Sequence, residues 1–318
     1  MAFSSIFRPD LFRKSVFIIT GGGSGIGRCT AHELAQLGGS VALVGRNVDK
    51  LKLVEKEIVS SSGTCSVHAC DIRDESDVQS TVSAILERHG RIDGLLNNAG
   101  GQFQSPLKDI SRKGWEAVVN NNLTGGFLFS RECYNQWMVS NGGSIVNIIA
   151  DMWGGMPNMG HSGAARAGML NFTETAALEW APVRVNAVAP GFINSSGVES
   201  YPKEIQELMK ELQAIVPLRR LGTESEVSSA ITFLLSPASA FTSGMFYMSF
   251  LFFNAFLLCL SYNISTPTSG SGSCLRVDGA APNAKRIYGP QVGAVDQHGH
   301  PRSPDPFDGF HMARKPLN

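Results

Sequence analysis

The chain has 318 residues, with Lys+Arg 27 balancing Asp+Glu 27, so it carries no formal net charge. That length holds one large α/β domain with a well-buried core or two small domains, and the balance removes the electrostatic case for nucleic acid or an anionic membrane as partner. With 43% hydrophobic residues and 34 glycines the composition suits a compact enzyme and excludes disordered and fibrous classes for most of the chain.

Residues 1–13 hold no apolar run long enough for a secretory signal and read as an N-terminal arm. From Lys14 to Gly244 short β-branched runs alternate with helical stretches. The runs SVFIIT (15–20), SVALVGR (40–46), CSVHA (65–69), IDGLLN (92–97), SIVNII (144–149) and VRVNAVA (183–189) are nearly unbroken hydrophobe between Gly, Asn or Asp. Strands buried on both faces have this pattern, which means parallel strands covered by helices. VDKLKLVEKEI and ESDVQSTVSAILERHG carry apolar residues three and four apart and predict amphipathic helices. Such alternation predicts an α/β fold with a doubly wound parallel sheet of Rossmann type in a single domain, 14–244.

Met245 to Leu260, MFYMSFLFFNAFLLCL, breaks the pattern and gives way to a Ser/Thr/Pro/Gly-rich patch ending at Gly272. It is shorter than the roughly 20 residues of a membrane helix, so a membrane partner is expected only if 245–272 belongs to the mature protein. Residues 282–318 form a Pro-, Gly- and His-rich tail. The six cysteines form no CxxC pair and no zinc spacing, which predicts a reducing compartment and no metal.

The first strand runs into Thr20-Gly21-Gly22-Gly23-Ser24-Gly25-Ile26-Gly27, with a helix expected from about Arg28. Small residues here let a pyrophosphate reach the helix N-terminus and its unpaired amides, so Gly21, Ser24, Gly25, Ile26 and Gly27 are candidate dinucleotide ligands. At the end of the second strand an NAD site carries a carboxylate for the ribose; this chain reads Gly45-Arg46-Asn47. A guanidinium at Arg46 suits a 2′-phosphate, which favours NADPH.

TGGGSGIG, Asp71-Ile72, Asn97-Asn98-Ala99-Gly100, Asn122-Leu123-Thr124-Gly125 and Pro190-Gly191 occur in the order and spacing of the short-chain dehydrogenase/reductase family. The resemblance spans 14–244 and resumes at 274–279. It implies a seven-stranded sheet, Asp71 and Ile72 flanking the adenine, and Asn98, Ala99 and Gly100 beside the ribose. Pro190, Gly191 and Ile193 would bracket the nicotinamide. GGQF (100–103), GHSGAARAGM (160–169) and SPASAF (236–241) look most like the trans-2-enoyl-CoA reductase branch, peroxisomal and bacterial, more than the 2,4-dienoyl-CoA reductases.

Most members protonate a carbonyl oxygen with a tyrosine tuned by a lysine four residues on. Counting back from Trp180, the lysine position is Arg166, the tyrosine position is Ser162, and the earlier serine falls near Ala150. The enoyl-CoA reductases have Tyr and Lys where this chain has Leu170 and Glu174. A serine hydroxyl is too weak an acid to replace that phenol, which disfavours ketone reduction. Reduction of an α,β-unsaturated thioester depends on it less, because the charge develops on an enolate oxygen that needs fixed donors. The resemblance makes Asn122 a residue that orders the site and Arg166 a cofactor contact. Ser162 is placed either to donate to the thioester or to cap a helix over 163–180. Asp151 lies where dienoyl reductases carry a catalytic tyrosine. His161 reads as an exposed or capping histidine, with proton donation as the other possibility.

The expected activity is therefore NADPH-dependent reduction of trans-2-enoyl-CoA thioesters in fatty acid metabolism, with an acyl-CoA substrate and a homotetramer built on 111–138 and 162–180. A 3-oxoacyl (carbonyl) reductase and a non-catalytic NADPH-binding protein stay open. Peroxisomal residence is implied by resemblance alone; the chain ends in Lys-Pro-Leu-Asn rather than an SKL-type signal, and the cytoplasm is the alternative. The family's final strand pattern, Thr-Gly-x-x-Leu-x-Val-Asp-Gly, is restored when Gly244 is joined to Ser273, so 245–272 reads as an insertion ahead of a last strand within 273–281. Trp180-Ala181-Pro182-Val183 is a couple of residues shorter than the family's helix-to-strand turn.

Overall fold

Each apolar run becomes a strand in a computed structural model, which describes residues 9–195, 216, 218–244 and the backbone of 274–277. The strands are β1 (Val16–Thr20), β2 (Ser40–Gly45), β3 (Thr64–Ala69), β4 (Gly94–Asn97), β5 (Ser144–Ile148), β6 (Arg184–Pro190), a short β7 (Ile193–Asn194) paired with β8 (Gly222–Thr223), and β9 (Cys274–Val277). The main helices are α1 (Gly25–Gln36), α2 (Val48–Ser60), α3 (Glu75–His89), α4 (Arg112–Val119), α5 (Gly125–Cys133), α6 (Gly160–Glu179) and α7 (Glu224–Leu235). Seven strands form one parallel sheet in the order β3-β2-β1-β4-β5-β6-β9. The order reverses between β1 and β4, and ligands of open parallel sheets bind at the carboxyl ends beside that reversal.

Alternation within the runs explains why they carry no polar face. Phe17, Ile19, Leu43, Leu96 and Val146 pack with α1, α2 and α7 on one side of the sheet. Ile18, Ala42, Val44, Leu95 and Ile145 pack with α3, α5 and α6 on the other. Every residue of β1 and β4 is buried. At ~25 cal/mol per Å² of apolar surface, these two layers supply the main driving force for folding.

Local signals mark most helix ends. Asn47 and Asp74 cap α2 and α3 by accepting the amides of Lys50 and Asp77, and Gly90 closes α3 at φ 75° in the left-handed region. Thr223 and Glu226 form a reciprocal capping box on α7. Two helix starts differ from expectation. Helix α1 begins at Gly25, not near Arg28, because the glycine-rich turn closes early and Gly25 and Ile26 already belong to the first helical turn. Helix α6 begins at Gly160, so Ser162 is its third residue and not its cap. The short turn after α6 closes with the Val183 amide on the Trp180 carbonyl at 2.9 Å, and β6 starts directly after it.

A buried amide–hydroxyl chain ties the carboxyl ends of β4 and β5 to the helices over them. Asn97 Nδ2 donates to Asn147 Oδ1 and Ser130 Oγ, both at 2.8 Å, and Asn147 Nδ2 donates to Thr173 Oγ1 at 2.9 Å. Asn147, Ser130 and Thr173 are wholly inaccessible, so an unmade bond here would leave a buried polar group stranded, at roughly 1–3 kcal/mol each. The network sets α5 and α6 against the end of the sheet where the candidate site lies. Residues 245–272 and 282–318, and most of 273–281 outside β9, lie outside the described residues, as does 1–8 of the arm.

Candidate active site

At the carboxyl ends of β1, β2 and β4 lies a cavity of about 960 Å³, lined by Gly21, Ser24, Gly25, Ile26, Arg46, Ile72, Asn98, Ala99 and Gly100 among others. Its floor is built by hydrogen bonds between two loops. Thr20 Oγ1 accepts the amides of Asn98 and Ala99, each at 3.0 Å, and the Asn98 side-chain amide donates to the carbonyls of Thr20 and Gly21 at 3.1 and 3.2 Å. Gly21 has φ 67°, a left-handed conformation that side chains resist. A Cβ on Gly27 would stand 2.5 Å from the Gly21 carbonyl oxygen, so that glycine lets α1 press against the turn.

No side chain caps α1. Its first-turn amides are left facing the cavity end of the helix, where the dipole also favours an anion. The cradle fits a dinucleotide: a glycine-walled turn, an uncapped helix N-terminus, and a cavity running to Arg46 at the end of β2. Lys50 also lines that end, as does Asp49 in the first turn of α2. Sequence reasoning missed both; their placement follows from the tight β2–α2 turn capped by Asn47.

Asp71 is not part of the lining. Its carboxylate is held in a fork by Arg73, with Nε at 2.8 and 3.1 Å from the two oxygens, and that hydrogen bonding lowers its pKa to about 2. Ile72 and Cys70 line the cavity on either side of it. Pro190, Gly191 and Ile193 stand at the β6–β7 turn outside the lining, while Ser195 just beyond them belongs to it.

Beside Gly100 the catalytic candidates come together. A Cβ on Gly100 would lie 2.6 Å from Arg166 Nη2 and 2.6 Å from Asn122 Oδ1, so both polar heads converge on this glycine. Asn122 sits in a π-helical turn, Asn120–Thr124, between α4 and α5. Such bulges turn a side chain out of the regular helical path, frequently at functional sites. From there its Nδ2 donates to the carbonyls of Gly101 (2.6 Å) and Val118 (3.0 Å), and its Oδ1 accepts the Gly101 amide at 3.2 Å. Asn122 thus fixes the loop that follows β4.

Arg166 is buried, and one guanidinium nitrogen donates to the Ile148 carbonyl in a short bond. None of the ion pairs among the described residues involves it. Burial lowers its pKa to about 10, which still leaves a full positive charge at neutral pH. Among the described residues its partner is a neutral carbonyl, so no described carboxylate compensates its field in the site.

Ser162 is buried and its hydroxyl donates to Gln102 Oε1 at 2.7 Å, tying α6 to the loop 100–106. His161, expected to be exposed or capping, is fully buried, because α6 starts one turn earlier and folds it under Phe103. Asp151 is half-buried three residues beyond β5. Leu170 packs against a small apolar cluster with Ile149 and Met169. Gln102 and Phe103 had no signal in the sequence beyond the GGQF string; only the packing of their loop on α6 makes them part of the site.

The comparisons with known proteins agree with this geometry. A family model described as Enoyl-(Acyl carrier protein) reductase matches residues 21–248. A solved structure described as a citronellol catabolism dehydrogenase, AtuB, from Pseudomonas aeruginosa PAO1 is 51% identical, with a TM-score of 0.70, covering 88% of this chain and 99% of that one. A probable 2,4-dienoyl-CoA reductase, (2E)-enoyl-CoA-producing, from Bacillus subtilis is 36% identical over 73% of this chain and 93% of its own length. A peroxisomal 2,4-dienoyl-CoA reductase, (3E)-enoyl-CoA-producing, from Danio rerio is 36% identical over 76% of this chain and 82% of its own. Among the described residues no helix is long and apolar enough to cross a membrane. A Rossmann-type sheet, a dinucleotide cradle at its switch point and these relatives make the chain an oxidoreductase that belongs to the short-chain dehydrogenase/reductase family.

Proposed function

We propose that the chain reduces trans-2-enoyl-CoA thioesters with NADPH. The observation that carries this reading is Arg166: a buried cation that no carboxylate among the described residues pairs with, meeting Asn122 at Gly100, with Ser162 and not a phenol at the position that protonates a ketone in most members. The names of the Bacillus and zebrafish relatives support an unsaturated acyl-CoA thioester as the substrate class, with an enoyl-CoA as the product of the reduction in those proteins.

When bound, NADPH supplies a hydride. The α1 N-terminus and the turn Gly21–Gly25 would hold the pyrophosphate, and Arg46 with Lys50 would hold the 2′-phosphate. Addition at the substrate's β-carbon moves the π electrons toward the thioester and leaves negative charge on its oxygen. Arg166 stabilises that charge through its field, and Asn122 keeps the Gly100–Gly101 loop in place against it. The enolate then takes a proton at the α-carbon from solvent. Ser162 does not act as the acid, because its hydrogen is committed to Gln102. The outer faces of α5 and α6 carry Phe127 and Leu178, 36% and 62% exposed, and this supports the proposed homotetramer. Peroxisomal residence is proposed from the resemblance, with the cytoplasm as the alternative.

The test compares NADPH oxidation with a medium-chain trans-2-enoyl-CoA and with the matching 3-oxoacyl-CoA. Faster oxidation with the enoyl thioester is expected. Turnover of the oxo compound alone would make the protein a carbonyl reductase, and NADPH binding without turnover of either would make it a non-catalytic binder. For the cofactor, Arg46→Asp is expected to shift preference from NADPH toward NADH by at least tenfold in kcat/KM, about 1.4 kcal/mol. An unaltered ratio would remove Arg46 from the 2′-phosphate.

A further inference from the structure

His161 is the second residue of α6, and none of its surface reaches solvent (0% exposed). The Ser162 amide donates to its Nδ1 at 2.9 Å. That bond requires a lone pair on Nδ1, which places the ring hydrogen on Nε2. Nε2 has no hydrogen-bond partner among the described residues. A buried donor with nothing to donate to is uncommon, because its desolvation is left uncompensated.

Its surroundings belong to the site. The Phe103 ring meets the imidazole edge-to-face at 4.5 Å and is itself 43% exposed, so on that side His161 is covered by a ring that is open to solvent. Phe103 follows Gly100 and Gly101, the stretch on which Arg166 and Asn122 converge, and Gln102 between them is held by Ser162. Arg166 lies on the same helix as His161, little more than one turn further on.

We propose that His161 donates a hydrogen bond from Nε2 to the thioester carbonyl oxygen once the acyl-CoA displaces Phe103. This rests on the thioester reading above and names the donor that takes the place of the missing phenol. The role is a hydrogen bond and not proton transfer: an imidazole whose Nδ1 already accepts a bond has no second basic nitrogen, and loss of the Nε2 hydrogen would create an imidazolate. During reduction the new bond is Cβ–H, the C=C π pair becomes the enolate, and the Nε2–H bond to oxygen strengthens as charge gathers there. The proton that completes the product goes to Cα from water.

Two readouts test this in the full chain, with trans-2-hexenoyl-CoA as probe. The first is the thioester carbonyl stretch of the probe bound beside NADP⁺, where no reduction occurs. The second is kcat with NADPH. In the wild type the stretch is expected at lower wavenumber than in free probe. His161→Ala is expected to return it toward the free value and to lower kcat about 100-fold, with NADPH affinity unchanged. His161→Gln, whose side-chain amide restores an N–H near the Nε2 position, is expected to recover both in large part. An alanine variant that keeps the wild-type stretch and rate overturns the assignment. So does a glutamine variant that binds NADPH normally yet is no better than alanine. A lowered stretch in a wild type that turns over no enoyl thioester would keep the donor and sink the proposed reaction, whereas failure to bind the probe at all removes both.

Discussion

Arg166→Ala is expected to lower kcat/KM for the enoyl thioester at least tenfold, equivalent to about 1.4 kcal/mol of transition-state stabilisation. The guanidinium is buried and faces no carboxylate among the described ion pairs, so no described residue neutralises the positive field at Gly100. Removing it leaves the enolate oxygen without that field and the Ile148 carbonyl without its donor. NADPH binding is expected to weaken as well if the same head holds the ribose, and the two effects separate in kcat against cofactor Kd. Arg166→Lys tests charge against shape: a shorter ammonium keeps the charge but lacks the fork, so partial recovery of kcat is expected. Burial lowers the folded pKa from its ordinary 12.5 to about 10, so the charge is lost only as pH rises through about 10. The rate should therefore show no contribution from this group between pH 6 and about 9. An alanine variant with wild-type kinetics and cofactor affinity would take Arg166 out of the site.

Deletion of residues 245–272 is expected to leave the fold, the NADPH affinity and the reductase rate within about twofold of the full chain, and to raise the yield of soluble protein. Both flanks of that segment meet the same strand. The Gly244 amide donates to the Val185 carbonyl at 3.1 Å, and Cys274 pairs with Ala187 two residues further along β6. At a strand rise of about 3.3 Å per residue, the two ends stand roughly 7 Å apart, a gap one residue can bridge. A chain joined from Gly244 to Ser273 thus keeps β9 in register, while it loses its longest apolar run, a liability for aggregation. Thermal denaturation and NADPH titration of the two chains decide the matter. A deletion variant that fails to fold or to bind NADPH would show that 245–272 belongs to the working structure.

Parts of this molecule were legible from local pattern alone. Both layers of the core follow from alternation within runs such as VFIIT and VALVG, since a strand covered on both faces must be apolar at every position. The cofactor cradle was equally readable, because a glycine-rich turn between a buried strand and a helix has few other uses, and Arg46 follows directly from its place at the end of β2. Asn122 was found by motif, although its action on the backbone of Gly101 was not.

Tertiary packing decided the rest. Whether Ser162 capped a helix or sat inside one depended on where α6 began, and Gly160 and His161 carry no strong start signal. With the start one turn earlier, the hydroxyl points to Gln102 and the imidazole is buried beneath Phe103, contacts between residues about sixty positions apart in the chain. The sequence by itself determined the sheet, the dinucleotide cradle and the absence of the Tyr-x-x-x-Lys dyad, because these rest on residue type and short-range spacing. Which polar groups are buried, which are spent on neighbours and which remain to meet a substrate was decided only by the folded chain, because a hydrogen bond is satisfied or left open by distances that local sequence does not encode.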